Sequence, residues 1–242
     1  MNSDPSLILA TDLDGTFLGG SQQQRTEFYQ YLQANRNRLL LVFITGRSLN
    51  SIQELCKEPG FPSPDYIIGD VGTTVVDGKT LKPVYPVQNW IEQSWGNANE
   101  KIKEMLADEP GIELQSVRPK YRVSYYYNPD KLRSSTLEKI SAAGFDYILS
   151  ASEFLDIMPK GVSKGPTLLK FIATLNLNAD NVIPAGDTLN DLSMFETGLK
   201  GIVVGNAEEK LVEKTKQMDN VYHSPYPGAA GIWDGIKIYG KL

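Results

Sequence analysis

Two aspartates separated by one residue follow directly on a short apolar run near the start of the chain. The run covers residues 7–10, and Asp12 and Asp14 precede a Gly-Thr pair. Burying two like charges at a strand end is unfavourable unless a cation or a reaction compensates for it. Asp12 is of the right type for a nucleophile toward phosphorus, and Asp14 for a general acid and base. The alternative is a pair of capping or turn aspartates.

A second polar cluster, Thr45-Gly46-Arg47-Ser48, follows the apolar run 39–44 and opens a predicted helix. A hydroxyl group and the free backbone N–H groups of a helix N-terminus suit an anion. We expect Thr45, Gly46 and Arg47 to bind the phosphoryl group. The alternative is ordinary helix capping by Thr45 or Ser48.

Three oxygen-bearing side chains follow the apolar run 182–185. Asp187, Asn190 and Asp191 are spaced i, i+3 and i+4, on one side of a helical turn. Carboxylate and amide oxygens are ligands that Mg²⁺ prefers. Capping alone would leave Asp191 without a role, so the pattern indicates a magnesium site.

Lys164 stands just before an apolar helix predicted over residues 165–175. A lysine there can offset the charge of the nucleophile and the phosphate. A solvated lysine at a helix start is the alternative, and Lys160 is a rival that we rank lower.

Short apolar runs alternate with segments of helical spacing along most of the chain. Runs that are almost entirely apolar are typical of strands covered on both faces. The alternation predicts an α/β fold, a Rossmann-like doubly wound parallel sheet, in which the polar clusters gather at the carboxyl ends of the strands. The predicted strands cover residues 7–10, 39–44, 66–68, 182–185 and 201–204, and the predicted helices 22–35, 48–57, 165–175, 190–197, 208–218 and 231–239.

Residues 84–159 have stronger alternation and more aromatic side chains, which predicts an inserted α+β domain. The core domain then consists of residues 1–83 and 160–242. Within the insert, one predicted helix covers residues 129–143, with Asn128 as its N-cap and Pro129 in its first position. The other predicted elements are strands at 112–117, 121–127, 145–150 and 153–158 and a helix at 100–107.

Composition narrows the possible classes of function. The chain has 242 residues, 41% of them hydrophobic, and a net charge of −5. The mild charge gives no reason to expect a nucleic-acid or membrane surface. A single cysteine excludes an internal disulfide. We expect a cytoplasmic monomer, without a signal peptide or a membrane span, that acts on a small molecule.

Four motifs in a fixed order resemble those of the haloacid dehalogenase-like phosphohydrolases, and the resemblance covers nearly the whole chain. The motifs are Asp12-x-Asp14-Gly15-Thr16, Thr45-Gly46-Arg47, Lys164 and Gly186-Asp187-x-x-Asn190-Asp191. The resemblance implies that Asp12 forms an aspartyl-phosphate, that Asp14 is the general acid and base, and that Thr45 and Lys164 hold the phosphoryl group.

The same resemblance implies a Mg²⁺ cofactor. Its ligands would be Asp12, the backbone carbonyl of Asp14, and Asp187, with Asn190 and Asp191 in support. Asn190 is also expected to contact the substrate.

The insert lies between the Thr45 and Lys164 motifs, as in the members of the family that have a large α/β cap. Among them, the chain looks most like the sucrose-phosphate phosphatase group, which includes mannosylfructose-phosphate phosphatase. The segments that carry this likeness are Asp65-Tyr66-Ile67-Ile68-Gly69, Asp156-Ile157-Met158-Pro159 with Lys164-Gly165, and Gly201-Ile202-Val203-Val204-Gly205-Asn206-Ala207. The implied substrate is a disaccharide monophosphate such as sucrose 6-phosphate, or another glycosyl phosphate (of mannosylfructose, glucosylglycerol or glucosylglycerate). The group commonly carries a basic residue and an aspartate where this chain has Glu153 and Phe154, and a lysine where it has Arg122. Arg122 is expected to contact the substrate, and these departures leave the sugar open.

Three other classes of function remain as alternatives. A signalling receiver domain also forms an aspartyl-phosphate, but it is about half this length and lacks the insert. A phosphosugar mutase would return the phosphoryl group to the sugar. A non-catalytic binding protein would not need an acid and base at Asp14.

Overall fold

The computed structural model describes residues 5–242, in which strands and helices alternate. The strands are β1 (Leu7–Thr11), β2 (Leu39–Ile44), β3 (Tyr66–Gly69), β4 (Thr74–Asp77), β5 (Ile112–Leu114), β6 (Val123–Tyr127), β7 (Phe145–Ser150), β8 (Phe154–Pro159), β9 (Val182–Gly186), β10 (Gly201–Val203) and β11 (Val221–His223). The α-helices are α1 (Gln22–Ala34), α2 (Leu49–Leu55), α3 (Val87–Trp95), α4 (Ala98–Met105), α5 (Ser134–Ala142), α6 (Lys164–Thr174), α7 (Leu192–Phe195), α8 (Glu209–Thr215) and α9 (Gly228–Ile238).

The larger sheet has seven strands in the order β11-β10-β9-β1-β2-β3-β4. Neighbouring strands are parallel except at the edge, where β4 runs antiparallel to β3. This architecture, with helices on both faces and a second sheet, confirms the predicted fold class. No helix in the described residues is long and apolar enough to cross a membrane.

The side chains of β1 alternate between two apolar clusters of the core. Leu7 and Leu9 pack with α1 and α9 on one face, and Ile8 and Ala10 pack with α6 on the other. A strand that is apolar on both faces is stable only when both faces are covered. The carboxyl end of β1 is therefore fixed at the centre of the sheet.

The smaller sheet is antiparallel, in the order β5-β6-β8-β7. It lies wholly within the segment that the sequence predicts to be an insert. Its buried residues join the same apolar cluster as α3 and α6. The two sheets therefore share a packed boundary.

The predicted start of the helix at residues 129–143 is wrong, because α5 begins only at Ser134. Asn128 instead closes a turn: its side-chain oxygen accepts from Asp130 N at 2.9 Å, and its carbonyl accepts from Lys131 N and Leu132 N. An asparagine side chain that satisfies a nearby amide in this way favours a turn over a helix.

Several elements were not predicted, namely α3, β4 and β11. Three apolar residues of α3, Val87, Ile91 and Trp95, are buried at positions i, i+4 and i+8. That spacing is a helical signal that the sequence does contain. β4 and β11 are short strands at the two edges of the large sheet, where the apolar pattern is weakest.

Candidate active site

The predicted site residues meet at the carboxyl edge of the large sheet. β1 lies between β2 and β9, with Thr11 opposite Phe43 on one side and Ala185 on the other. Asp12 is the first residue after β1, and Asp187 the first after β9. Parallel neighbours end side by side, so residues far apart in sequence reach one crevice.

Lys164 joins two of these carboxylates. It is the first residue of α6 and is fully buried, and its Nζ donates to Asp12 Oδ1 at 2.7 Å and to Asp191 Oδ1 at 2.6 Å. Burial disfavours the charged ammonium group, but Asp12 and Asp191 outweigh that effect and raise the pKa of Lys164. The lysine therefore stays protonated next to the proposed nucleophile. Lys160 is exposed.

Asp191 organises the turn that follows β9. Its Oδ2 accepts from the backbone N of Asp187 at 2.9 Å and of Thr188 at 3.0 Å. The predicted helix at residues 190–197 is here a short 3₁₀ turn followed by α7, because this carboxylate binds the backbone N–H groups of the turn. Both oxygens of Asp191 thus have partners within the protein.

Asp187 is held from the other side of the crevice. Its Oδ1 accepts from Thr16 Oγ1 at 2.7 Å, in the turn after Asp14. Gly15 in that turn has φ +78°, and a Cβ atom there would collide with the Asp187 carboxylate. Thr16 was not predicted to be a site residue, although it belongs to the first motif.

Asp12, Asp187 and Asp191 form a buried cluster in which one carboxylate oxygen of each lies within 4.8 Å of the others. Burial raises the pKa of Asp12 well above its ordinary value, and the negative charges of Asp191 and Asp187 add to that effect while Lys164 opposes it. Burial, followed by the charge of Asp191, raises the pKa of Asp187 to about 7.

One lysine cannot balance three carboxylates, so the cluster fits a divalent cation with oxygen ligands. Asn190 points to the same conclusion, since its buried Oδ1 has no hydrogen-bond partner in residues 5–242. Asp12 Oδ2 likewise takes no hydrogen bond from the described chain, which leaves it available to a ligand.

The Asp14 side chain lies outside this cluster. Arg47 donates two hydrogen bonds to its carboxylate, from Nε to Oδ2 at 2.8 Å and from Nη2 to Oδ1 at 2.6 Å. Thr45 is fully buried at the end of β2, and its hydroxyl oxygen accepts from Arg47 N at 3.2 Å. The guanidinium of Arg47, a predicted substrate-binding residue, is therefore bound to the proposed acid–base residue.

A cavity of about 350 Å³ opens beside Asp12 and is lined by residues of both sheets. Its lining includes four residues that the sequence predicts to belong to the site, namely Asp14, Arg47, Arg122 and Asn190. Phe154 on β8 also faces the cavity. Six lining residues had no predicted role. They are Val71, Gln115, Ser150, Ala151, Asp156 and Thr188.

Asp156 has the clearest signal among these unpredicted residues. It is an acidic residue in the middle of the otherwise apolar strand β8, and it accepts from Arg122 Nη1 at 2.7 Å and from Ser124 Oγ at 2.5 Å. A charge at such a position is retained only where a partner is present.

Comparisons with known proteins found one matching family model and several similar proteins. A model of the sucrose-6F-phosphate phosphohydrolase family matches residues 5–240. The chain is 39% identical to a glucosylglycerol-phosphate synthase of Pseudomonas anguilliseptica over 98% of its own length, but it spans only 31% of that protein. It is 31% identical to the mannosylfructose-phosphate phosphatase of Agrobacterium fabrum, over 98% of both chains. The structure of the sucrose-phosphatase of Synechocystis sp. PCC6803, in complex with sucrose and phosphate, superimposes with a TM-score of 0.88 at 24% identity, over 98% of this chain and 99% of that one.

Proposed function

Since the chain belongs to the sucrose-6F-phosphate phosphohydrolase family of haloacid dehalogenase-like enzymes, we propose that it hydrolyses the phosphate monoester of a glycosyl compound. The observation that carries this proposal is the buried Lys164, bound to Asp12 and Asp191 beside a cavity. A fixed cation next to a carboxylate with one unbonded oxygen is suited to phosphoryl transfer.

In the proposed reaction, an Asp12 oxygen attacks phosphorus and the P–O bond to the sugar breaks. Asp14 donates a proton to the departing sugar oxygen, which leaves an aspartyl-phosphate and a free hydroxyl group. Asp14 then takes a proton from water as the water oxygen attacks phosphorus. The bond to Asp12 breaks, and inorganic phosphate leaves with Asp12 restored.

Lys164, Thr45 and the backbone of Gly46 and Arg47 would bind the phosphoryl oxygens during both steps. Their positions are fixed by burial: Thr45 and Lys164 are both 0% exposed. Groups that are already oriented stabilise developing charge without reorganisation.

The proposed cofactor is Mg²⁺, held by Asp12, the backbone carbonyl of Asp14, and Asp187, with Asp191 beside them. Asp12 and Asp187 are the better direct ligands, because both oxygens of Asp191 already accept hydrogen bonds. When bound, the ion would neutralise charge on the carboxylates and on the phosphoryl group.

Residues 84–159 are proposed to act as a cap that selects the sugar. The catalytic cavity adjoins a cleft of about 810 Å³, with which it shares Gly46, Arg47, Gln115 and Arg122. Together they provide room for a disaccharide phosphate. Sucrose 6-phosphate is the first candidate. Glucosylglycerol phosphate is the second, because the 39% identical relative is a glucosylglycerol-phosphate synthase.

The test is phosphate release from purified protein with Mg²⁺, ranked by kcat/KM. The panel contains the phosphates of sucrose, mannosylfructose, glucosylglycerol and glucosylglycerate, and Asp12→Asn is the blank. A clear preference for one of them is expected. Release no faster than the blank from every member would overturn the proposal, and transfer of phosphate to a second sugar position would indicate a mutase.

A further inference from the structure

Arg122 forms a polar link between the two sheets. It lies just before β6 in the smaller sheet and is only 8% exposed. Its Nη1 donates to Asp156 in the same sheet, and its Nη2 donates to the carbonyl of Gly46 at 3.1 Å, with Asp70 Oδ1 at 3.5 Å. Gly46 follows β2 and Asp70 follows β3, so both belong to loops of the large sheet.

Gly46 directly precedes Arg47, whose guanidinium donates two hydrogen bonds to the Asp14 carboxylate. On the core side this loop is tied to the end of β3, since Asp70 N donates to the Arg47 carbonyl at 3.1 Å and Val71 N to the Thr45 carbonyl at 3.0 Å. Arg122 contacts the same loop from the smaller sheet. A bidentate arginine–carboxylate pair is sensitive to small displacements of either partner.

We propose that Arg122 is a positioning residue that couples closure of the smaller sheet to the orientation of Asp14, through Gly46 and Arg47. The proposal rests on the proposed function, in which Asp14 protonates the leaving oxygen. While Arg122 donates to the Gly46 carbonyl, the loop holds Arg47 in the position from which it binds Asp14. When the smaller sheet moves away, that contact is lost and the acid–base residue is less well placed.

The placement of the partners indicates which half of the link breaks. Asp156, at 2.7 Å, lies on β8, which pairs with β6 in the smaller sheet, whereas Gly46 and Asp70, at 3.1 and 3.5 Å, lie across the boundary. Arg122 therefore travels with Asp156, and its positive charge stays paired during opening. The contacts across the boundary can then be made and broken in each catalytic cycle.

The test uses phenyl phosphate and 4-nitrophenyl phosphate, which contain no sugar, so a lost sugar contact cannot affect the result. Phenoxide is the poorer leaving group and depends more on a proton donor. Asp14→Asn sets the reference, lowering kcat/KM for phenyl phosphate about a hundredfold more than for 4-nitrophenyl phosphate. The double variant Arg122→Gln with Asp156→Asn removes both charges of the pair. It is expected to lower kcat/KM for phenyl phosphate about tenfold more than kcat/KM for 4-nitrophenyl phosphate.

Asp156→Asn alone is the matched control, because it keeps Arg122 on Gly46, and it should leave the ratio of the two substrates near the wild-type ratio. Thermal melting checks that each variant is folded; if the double variant is not, Asp70→Asn replaces it, with a smaller change of ratio expected. A folded variant without Arg122, or Asp70→Asn in its place, that keeps the wild-type ratio would overturn the coupling. If Asp14→Asn itself leaves the ratio unchanged, the proposed function fails instead.

Discussion

Lys164 is the residue around which the carboxylates of the site are arranged. It is a fully buried cation with two bonds to buried anions, Asp12 and Asp191. Removing one member of a buried ionic group leaves the other charges without compensation, which is far more unfavourable than losing a surface pair.

We therefore expect Lys164→Met to lower the free energy of unfolding by about 3–5 kcal/mol in the absence of divalent ions. Urea denaturation near neutral pH measures this change. Lys160→Met is the matched control, since Lys160 is exposed four residues away and should change stability by less than about 0.5 kcal/mol. Equal stability of the two variants would contradict the structural role assigned to Lys164.

Substitutions at Asp12 and at Asp14 are expected to impair catalysis in different ways. Asp12→Asn should abolish phosphate release, because a neutral amide is too weak a nucleophile to form the covalent bond to phosphorus. Asp14→Asn should bind substrate nearly as well as the wild type but lose at least about a hundredfold in kcat. Steady-state kinetics, with binding measured by calorimetry, separates the two effects, and near wild-type turnover in both variants would exclude the aspartyl-phosphate mechanism.

At the scale of elements, the tight turn after β1 connects the first motif to the acidic cluster. Gly15 takes φ +78° there and leaves no room for a Cβ atom beside Asp187. The backbone conformation and the close approach both require glycine.

Gly15→Ala is accordingly expected to displace Asp187 and to weaken Mg²⁺ binding at least about tenfold, as measured by calorimetry. Gly144→Ala provides the control, because Gly144 has a similar φ of +88° but no atom within 4 Å of an added Cβ. The Gly144→Ala variant therefore has the same kind of backbone strain, but its added Cβ atom collides with no neighbouring atom. If both variants bind Mg²⁺ as the wild type does, the turn does not shape the metal site.

Sequence patterns anticipated the parallel sheet because its strands are apolar on both faces and helices of regular spacing separate them. They also indicated that residues at the strand ends would meet, since all of these strands point the same way. The partners of side chains were not accessible. Nothing in the order of residues shows that Arg47 binds Asp14, or that Asp156 faces Arg122, because these pairs are made by loops and by a second sheet whose placement depends on tertiary packing.

At the scale of the whole molecule, the acidic cluster makes stability depend on pH and on metal. The pKa of Asp187 is about 7 in the folded protein against an ordinary value of 3.8. Between those values the folded state holds more protons than the unfolded state, so this residue lowers the free energy of unfolding as the pH rises. Asp12, whose pKa is also raised, acts with the same sign.

A divalent cation binds the ionised carboxylates and should reverse this loss. We expect saturating Mg²⁺ to raise the melting temperature by about 5–10 °C at pH about 8, and by much less at pH about 5.5. Thermal scans with and without a chelator measure the difference. Asp187→Asn should reduce the gain, and an equal gain at both pH values would contradict the assignment of the cluster as the metal site.

The strand order has a consequence for biosynthesis. β1 is synthesised before β2, with which it pairs, yet its other neighbour, β9, is about 170 residues further along the chain. Until Val182–Gly186 has been made, one side of β1 has no permanent partner, while the smaller sheet, whose strands are close in sequence, is free to assemble. The strand order therefore allows the smaller sheet to form before the strand that completes the central pairing of the large sheet has been made.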